Sequence, residues 1–404
     1  MSRRNLLANH ESPPRFPPEV QLLLAAAREW NQPPCTSTIA LTEVDWKSAL
    51  EAANWHGLSP LLYEYLSRSL LKGRDTTLEG RDNWSEFLNK LATLRKNIAL
   101  RSLRMSSELV RILESLRKCG VTAIPFKGPA VAAALYGDVG LRPSADLDLL
   151  LAKPDVFKTS EVLLGLGYKQ TQEYPPHARR MLLRFENDFS FSHPMAQVTV
   201  AVHWGLARAH YSYPLNVTDL ATRLTEIDLG GRSVPMLAPE DLFYVLAMHG
   251  GKHFWERLIW LCDIRQLLVA YPGMDWNLVF NQARHTGTVR VLLFALHAAH
   301  VLVGAPLPPQ VDALFRNDPA VARLTNEVLK ALIGQVERSK LSFHWRRMRL
   351  RERRRDQMKY VLGLMFNPTQ AEWAAIRLPQ PLSFLYYPLR LARCGALLAE
   401  RRRN

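Results

Sequence analysis

Cysteine is scarce and scattered: the chain has four in 404 residues, Cys35, Cys119, Cys262 and Cys394. No two form a CxxC pair and none has zinc-site spacing, which excludes a zinc ribbon and predicts reduced, mostly buried thiols. Long apolar runs are also missing. The longest, from Val291 to Leu307, is interrupted by His297 and His300 and falls short of a spanning helix, so a buried helix is expected there and no transmembrane segment. The first residues, MSRRNLLANHESPPRFPPEV, contain no apolar core of signal-peptide length, which makes a cytoplasmic location the default. No internal repeat stands out, and no RNA- or DNA-binding signature. Acidic side chains are in deficit, with 37 Asp and Glu against 52 Lys and Arg for a net charge of +15. Such a balance favours an anionic partner: a nucleotide, a nucleic acid, a phosphorylated substrate or an anionic membrane surface.

What the chain does have is an ordinary globular composition, 48% hydrophobic and 22% charged, and enough length for two or three domains or sub-domains. Prolines up to Pro34 suggest a flexible N-terminal arm over 1–34. Apolar residues then recur at three- and four-residue spacing through DWKSALEAANWHGLSPLLYEYLSRSLL and from about Phe87 to Cys119, which makes 35–119 a helical region. The pattern changes at VTAIPF, a short strand, followed by a Lys127-Gly128 turn, a short helix PAVAAALYG, the loop DVGLRPSA, a buried strand DLDLLLA and a strand pair DFSFSHP and VTVAVHW. An α/β core over 120–235 follows, and helical spacing returns over 236–404. The fold class is therefore α+β, a small mixed sheet flanked by helical regions. The arginines between Arg346 and Arg355 would fall on every side of a helix, with Glu352 alone to offset them. A solvated helix or connector is expected there ahead of a nucleic-acid surface, because no aromatic residues interleave as a stacking platform requires.

Alternate side chains of a strand share a face, so Asp146 and Asp148 in D-L-D project together with Cα atoms roughly 6.5 to 7 Å apart. Two such carboxylates can share metal ions. Upstream, Gly128 allows close backbone approach to a phosphate at a helix N-terminus, Lys127 adds a point charge, and Arg142 could grip a phosphate or order its loop. The order of strand, phosphate-type turn, helix, arginine loop and DxD strand points to phosphoryl-group chemistry with magnesium.

The segment FKGPAVAAALYGDVGLRPSADLDLLL resembles the signature of the uncharacterised nucleotidyltransferase family, within the polymerase-β-like nucleotidyltransferase superfamily. The likeness extends to VAVHWGL, to LAMHGGKHFWERLIWLCDI, and to LGLMFNPTQAEW with LPQPLSFLYYPLRLAR, covering the chain from about Trp46 onward. The resemblance implies a mostly bacterial family, Mg2+ (or Mn2+) held by Asp146 and Asp148, and transfer of a nucleoside monophosphate from a nucleoside triphosphate such as ATP to an unidentified acceptor. It also implies that His249, Lys252 and His253 face the nucleotide or brace the helical domain, with Lys252 near the β- or γ-phosphate and Asp263 paired with Arg257 or another basic residue. His203 and Trp204 either line the site or are a satisfied core histidine beside a core tryptophan. Zinc binding by His249 and His253 lacks a third ligand, and Trp255 and Trp260 read as core. One departure matters: the family's third carboxylate falls at Ala201, and Asp188 is the nearest candidate to replace it. The alternatives are a degenerate nucleotide-binding protein of the same fold, a basic nucleic-acid-binding protein, which is not favoured, and a sugar-nucleotide-dependent glycosyltransferase, which fits less well because helices occupy the space before the DxD.

Overall fold

The computed structural model describes residues 16–31, 41–71, 82–172, 179–211, 213–334 and 340–401. The expectation of a loose arm over 1–34 is corrected in its middle, where Pro18–Glu29 forms helix α1. The prolines stand only at its edges. Pro18 takes the first turn, where a missing N–H costs nothing, and Leu22, Leu23, Leu24, Ala25, Ala26 and Ala27 are all buried. Helices α2 (Trp46–His56) and α3 (Ser59–Leu71) follow, the first capped by the Asp45 carboxylate on the Lys47 N–H and ended by Gly57 in the left-handed region. The long α4 (Asp82–Lys118) lies across α2 and α3 and buries Leu91, Met105, Leu109, Ile112 and Leu116 along one stripe.

The sheet region runs β1 (Ile124–Pro125), α5 (Pro129–Tyr136), β2 (Leu147–Leu150), α6 (Val156–Gly165), β3 (Lys169–Gln170), α7 (Arg179–Phe185), β4 (Asp188–His193) and β5 (Val198–His203). Its five strands are ordered β1-β2-β5-β4-β3, with β2 and β5 parallel and every other neighbour antiparallel. β2 is buried throughout, as its Leu-rich run requires in the middle of a covered sheet. After the short α8 (Val217–Ala221) comes a hairpin of β6 (Thr225–Asp228) and β7 (Ser233–Met236).

The helices α9 (Pro239–Lys252), α10 (Leu258–Ala270), α11 (Trp276–Thr286), α12 (Val289–Val303), α13 (Val311–Asn317) and α14 (Pro319–Leu332) form a bundle around α12. The apolar run is this central helix, buried from Val291 to Ala299, and no helix among the described residues is long and apolar enough to cross a membrane. α15 (Lys340–Arg349), α16 (Arg354–Phe366), α17 (Gln370–Ala375) and α18 (Tyr386–Arg401) complete the chain. Among the cysteines only Cys262 is buried; Cys119 is exposed, Cys394 is intermediate, and Cys35 lies outside the described residues.

The arginine-rich stretch is neither one helix nor a solvated connector. The chain breaks between α15 and α16, and the arginines clamp neighbouring elements together. Arg346 and Arg349 bind Glu327, Arg347 donates to the Lys252 carbonyl, and buried Arg351 reaches Asp356 and the Thr286 carbonyl. Arg353 donates to the carbonyls of Arg284 and His285 at the end of α11. The Glu352 carboxylate accepts the Val289 and Arg290 N–H groups that open α12. Sequence spacing could not show most of this, because every partner but Asp356 lies far away along the chain.

Candidate active site

Register brings the carboxylates together. Asp148 on β2 stands opposite Ala201 on β5, Ala201 opposite Ser190 on β4, and His203 opposite Asp188. Paired residues share a face, so Asp148, Ala201, His203, Ser190 and Asp188 line one side of the sheet, with Asp146 one residue ahead of β2. That side borders a cavity of about 760 Å³. Lys127, Gly128, Arg142, His249, Lys252 and His253 line the same cavity, so every residue proposed for the site from sequence reaches it.

Gly128, the N-cap of α5, sits at φ +73° and ψ −150°, a conformation open essentially to glycine alone. A Cβ there would stand 3.4 Å from the Asp146 carbonyl oxygen. The turn therefore fits closely under the DxD loop, and Lys127 is directed to β2: its Nζ lies 3.2 Å from Asp148 Oδ1. His203 Nε2 meets the same oxygen at 2.8 Å, while its buried Nδ1 has no partner among the described residues. Burial alone would raise the Asp148 carboxyl, but the Lys127 ammonium and the His203 hydrogen bond outweigh it and hold the group well below the carboxylate range. Asp146 moves the other way. Burial and then the Asp148 charge raise it, only partly offset by Lys127 and His203, and Asp188 adds to the repulsion.

Arg142 is not held out toward a phosphate. Its guanidinium forms a two-pronged pair with Asp263 on α10, Nε to Oδ1 and Nη2 to Oδ2 at 2.8 Å each, and Tyr136 donates to the same carboxylate at 2.9 Å. Both partners are buried. The pair ties the loop before β2 to the helical bundle, and this, with a contact to Ser144 Oγ, is the loop-ordering role. The Arg257 expected beside Asp263 instead lies over the ring of Trp55, 5.0 Å from its centroid.

α9 delivers the remaining groups. A Cβ on Gly250 would stand 2.2 Å from the Trp255 ring, so glycine is what lets that ring fold back under the helix end. Phe254 and Trp255 both take φ +53°, a costly turn for bulky residues that leaves His249, Lys252 and His253 at the cavity. Burial, followed by the Lys127 charge, lowers Lys252 to about 8, against a counter-pull from Asp188 and Asp148. Its Nζ donates to the Leu206 carbonyl at 3.2 Å. Burial also keeps His249 well below its usual value and His253 at about 3, so both rings are neutral. They pack with Trp260, at 5.0 and 5.3 Å between centroids, and Trp260, half-buried against the core, also lines the cavity.

A further wall comes from the N-terminal helices, which sequence reasoning did not include. Asn54 and Trp55 of α2, Ser59 of α3, and Ile98, Arg101 and Ser102 of α4 line the cavity. Arg101 donates to the Ala145 carbonyl at 2.7 Å, one residue before Asp146, and the buried Ser59 hydroxyl has no partner among the described residues. The one available signal was polar residues interrupting otherwise apolar helix faces.

No group of three or more His, Cys, Asp or Glu side chains with metal-ligating placement occurs among the described residues. Asp146 and Asp148 are nonetheless hard oxygen donors, and both contacts to Asp148 fall on Oδ1. Their mutual repulsion is what a divalent cation would relieve, so the donor set suits Mg2+ or Mn2+. Asp188 does not occupy the strand position of Ala201: two strands over and two residues along, its Cα is roughly 11 Å from that of Asp148, against about 5 Å for a direct neighbour, although its charge is felt at Asp146.

Among solved structures, the chain is similar to the lincomycin-bound lincosamide antibiotic adenylyltransferase LnuA, at 19% identity over 40% of this chain and 94% of that one, with a TM-score of 0.27. It is also similar to an antigenic nucleotidyltransferase-like protein from Paracoccidioides brasiliensis, at 15% identity over 55% of this chain and 92% of that one, with a TM-score of 0.30. No curated protein sequence matches. Residues 42–304 match the model of a family described as uncharacterised nucleotidyltransferase, so the resemblance seen in LGLMFNPTQAEW and beyond lies outside the matched span. With well over half of its length matched, from α2 through the DxD strand to the end of α12, the chain belongs to the uncharacterised nucleotidyltransferase family.

Proposed function

We propose that this protein moves a nucleoside monophosphate from a nucleoside triphosphate to a small-molecule, peptide or protein acceptor, with a divalent metal at Asp146 and Asp148. The observation that carries this reading is the convergence of both carboxylates, Lys127 and the Gly128 turn on one face of the sheet. A bound Mg2+ or Mn2+ would supply charge neutralisation at the phosphate oxygens. The protein's own groups do the rest. Lys127 and His203 fix the Asp148 carboxylate so that Oδ2 is free to bind, and the N-terminal end of α5 favours a phosphate. Lys252 offers an ammonium to the β- or γ-phosphate below pH 8. The neutral His249 and His253 and the Trp260 ring, inclined to one another, offer aromatic faces and edges against which a base could pack. Asp188 faces the same cavity without a hydrogen-bond or salt-bridge partner among the described residues, and would take the proton an acceptor hydroxyl loses as it attacks the α-phosphate and pyrophosphate leaves.

Thermal-shift titration with each of the four ribonucleoside triphosphates tests this, with and without Mg2+, beside the Asp146→Asn, Asp148→Asn double variant. Stabilisation by at least one triphosphate, dependent on Mg2+ and missing in the variant, is expected; its absence in the native protein would overturn the reading. Ala201 favours a second reading, a degenerate nucleotide-binding protein. If Ala201→Asp creates triphosphate turnover where the native chain has none, that reading replaces the first.

A further inference from the structure

A second cavity, of about 460 Å³, shares no lining residue with the first. Strand alternation separates them: Asp188 and His203 face the first cavity, whereas their chain neighbours Asn187 and Trp204 line the second. Six cations surround this space, Lys153, Arg184, Arg208, Arg353, Arg355 and Lys359, against only two acids, Glu186 and Asp356. Both acids are already engaged, Glu186 by Arg208 at 2.6 Å and Asp356 by Arg351 at 3.3 Å. Arg353 is occupied at the end of α11, and Arg355 comes no closer than 3.9 Å to Asp356. Lys153, Arg184 and Lys359 therefore have no carboxylate partner among the described residues. Three uncompensated cations around one cavity are the complement of an anionic group.

We propose that this second cavity binds a small phosphate-bearing molecule, with Lys153, Arg184 and Lys359 facing its phosphate. A nucleic-acid strand suits the site less well, because a strand needs a continued track of free cations. Here the rest of the arginine stretch leads away from the cavity into protein contacts: Arg346 and Arg349 to Glu327, Arg347 to Lys252. The site is distinct from the proposed chemistry, though Trp204 directly follows His203, which holds Asp148.

Calorimetric titration of the full chain with inorganic pyrophosphate in EDTA tests the proposal, because it offers phosphate oxygens without base, sugar or metal. Lys153 and Lys359 are exposed, so Lys153→Ala, Lys359→Ala leaves the fold intact, while Lys127→Ala reports on the first cavity. Binding by the native protein and by Lys127→Ala, weakened at least about tenfold in the double variant, is expected from the loss of two charge-assisted contacts. No binding by the native protein, equal binding by the double variant, or loss confined to Lys127→Ala would each overturn it. Displacement of pyrophosphate by a single-stranded RNA oligomer that itself depends on Lys153 and Lys359 would make the ligand a nucleic acid and overturn the proposal in that way.

Discussion

The two walls of the first cavity are built by different means. The sheet wall is local: Lys127, Gly128, Asp146 and Asp148 lie within 22 residues of one another and are placed by strand alternation and one glycine turn. The helical wall is assembled from α2, α3, α4, α9 and α10, whose contributors are separated by as much as 200 residues. The difference teaches that the local wall can specify chemistry, whereas the distant wall shapes what enters. The buried Arg142–Asp263 pair joins them, one partner in the loop before β2 and the other on α10.

Breaking that tie should have the largest effect. Removing one partner strands a buried charge, so Asp263→Ala should cost about 3 to 5 kcal/mol in urea unfolding, whereas replacing both partners with apolar residues should recover much of it. If the single change is nearly neutral, the walls do not depend on the pair. Next comes the chemical wall. A ligand at one hundred times its Kd stabilises by about 2.7 kcal/mol, and the Asp146→Asn, Asp148→Asn variant should lose that increment while retaining its unliganded melting temperature within a few degrees. The helical wall should respond more gently. Arg101→Ala removes the contact to the Ala145 carbonyl and should weaken Mg2+-dependent triphosphate binding by roughly 1 kcal/mol, read from the same titrations; an unchanged affinity would leave α4 out of the site.

The smallest effect separates the walls by pH. Lys252 titrates near 8 in the folded chain, below its ordinary 10.5. Between those values the unfolded chain holds the proton that the folded one has released, so unliganded stability should rise with pH across this window. Triphosphate affinity should fall as pH passes 8, because the ammonium is then lost. Lys252→Met should flatten both trends, and a native protein whose affinity holds constant from pH 7 to 9 would remove Lys252 from phosphate binding.

Several features were legible in the sequence for definite reasons. The D-L-D alternation, the Lys127-Gly128 turn and the strand pair that became β4 and β5 are short-range patterns, and period-two geometry carries them directly into space. Arg142 was read both as a phosphate grip and as a loop anchor, and only the partner on α10 decides for the anchor. Trp260 reads as a core residue because an aromatic ring at helical spacing usually is one; it does pack against the core, and only the neighbouring His249 and His253 reveal that it also lines the cavity. The arginine stretch looked solvated because its acceptors, Glu327 and the carbonyls of Lys252, Arg284, His285 and Thr286, are remote in sequence.

The α+β class, the family and the shared strand face of Asp146 and Asp148 were readable from local pattern, because periodicity and adjacent-residue geometry need no distant partner. Tertiary structure alone decided that Asp188 stands two strands from Asp148, that N-terminal helices close the cavity, and that Arg142 serves Asp263. Those outcomes depend on which faces meet when separately encoded elements bury their apolar sides, and no local pattern records that choice.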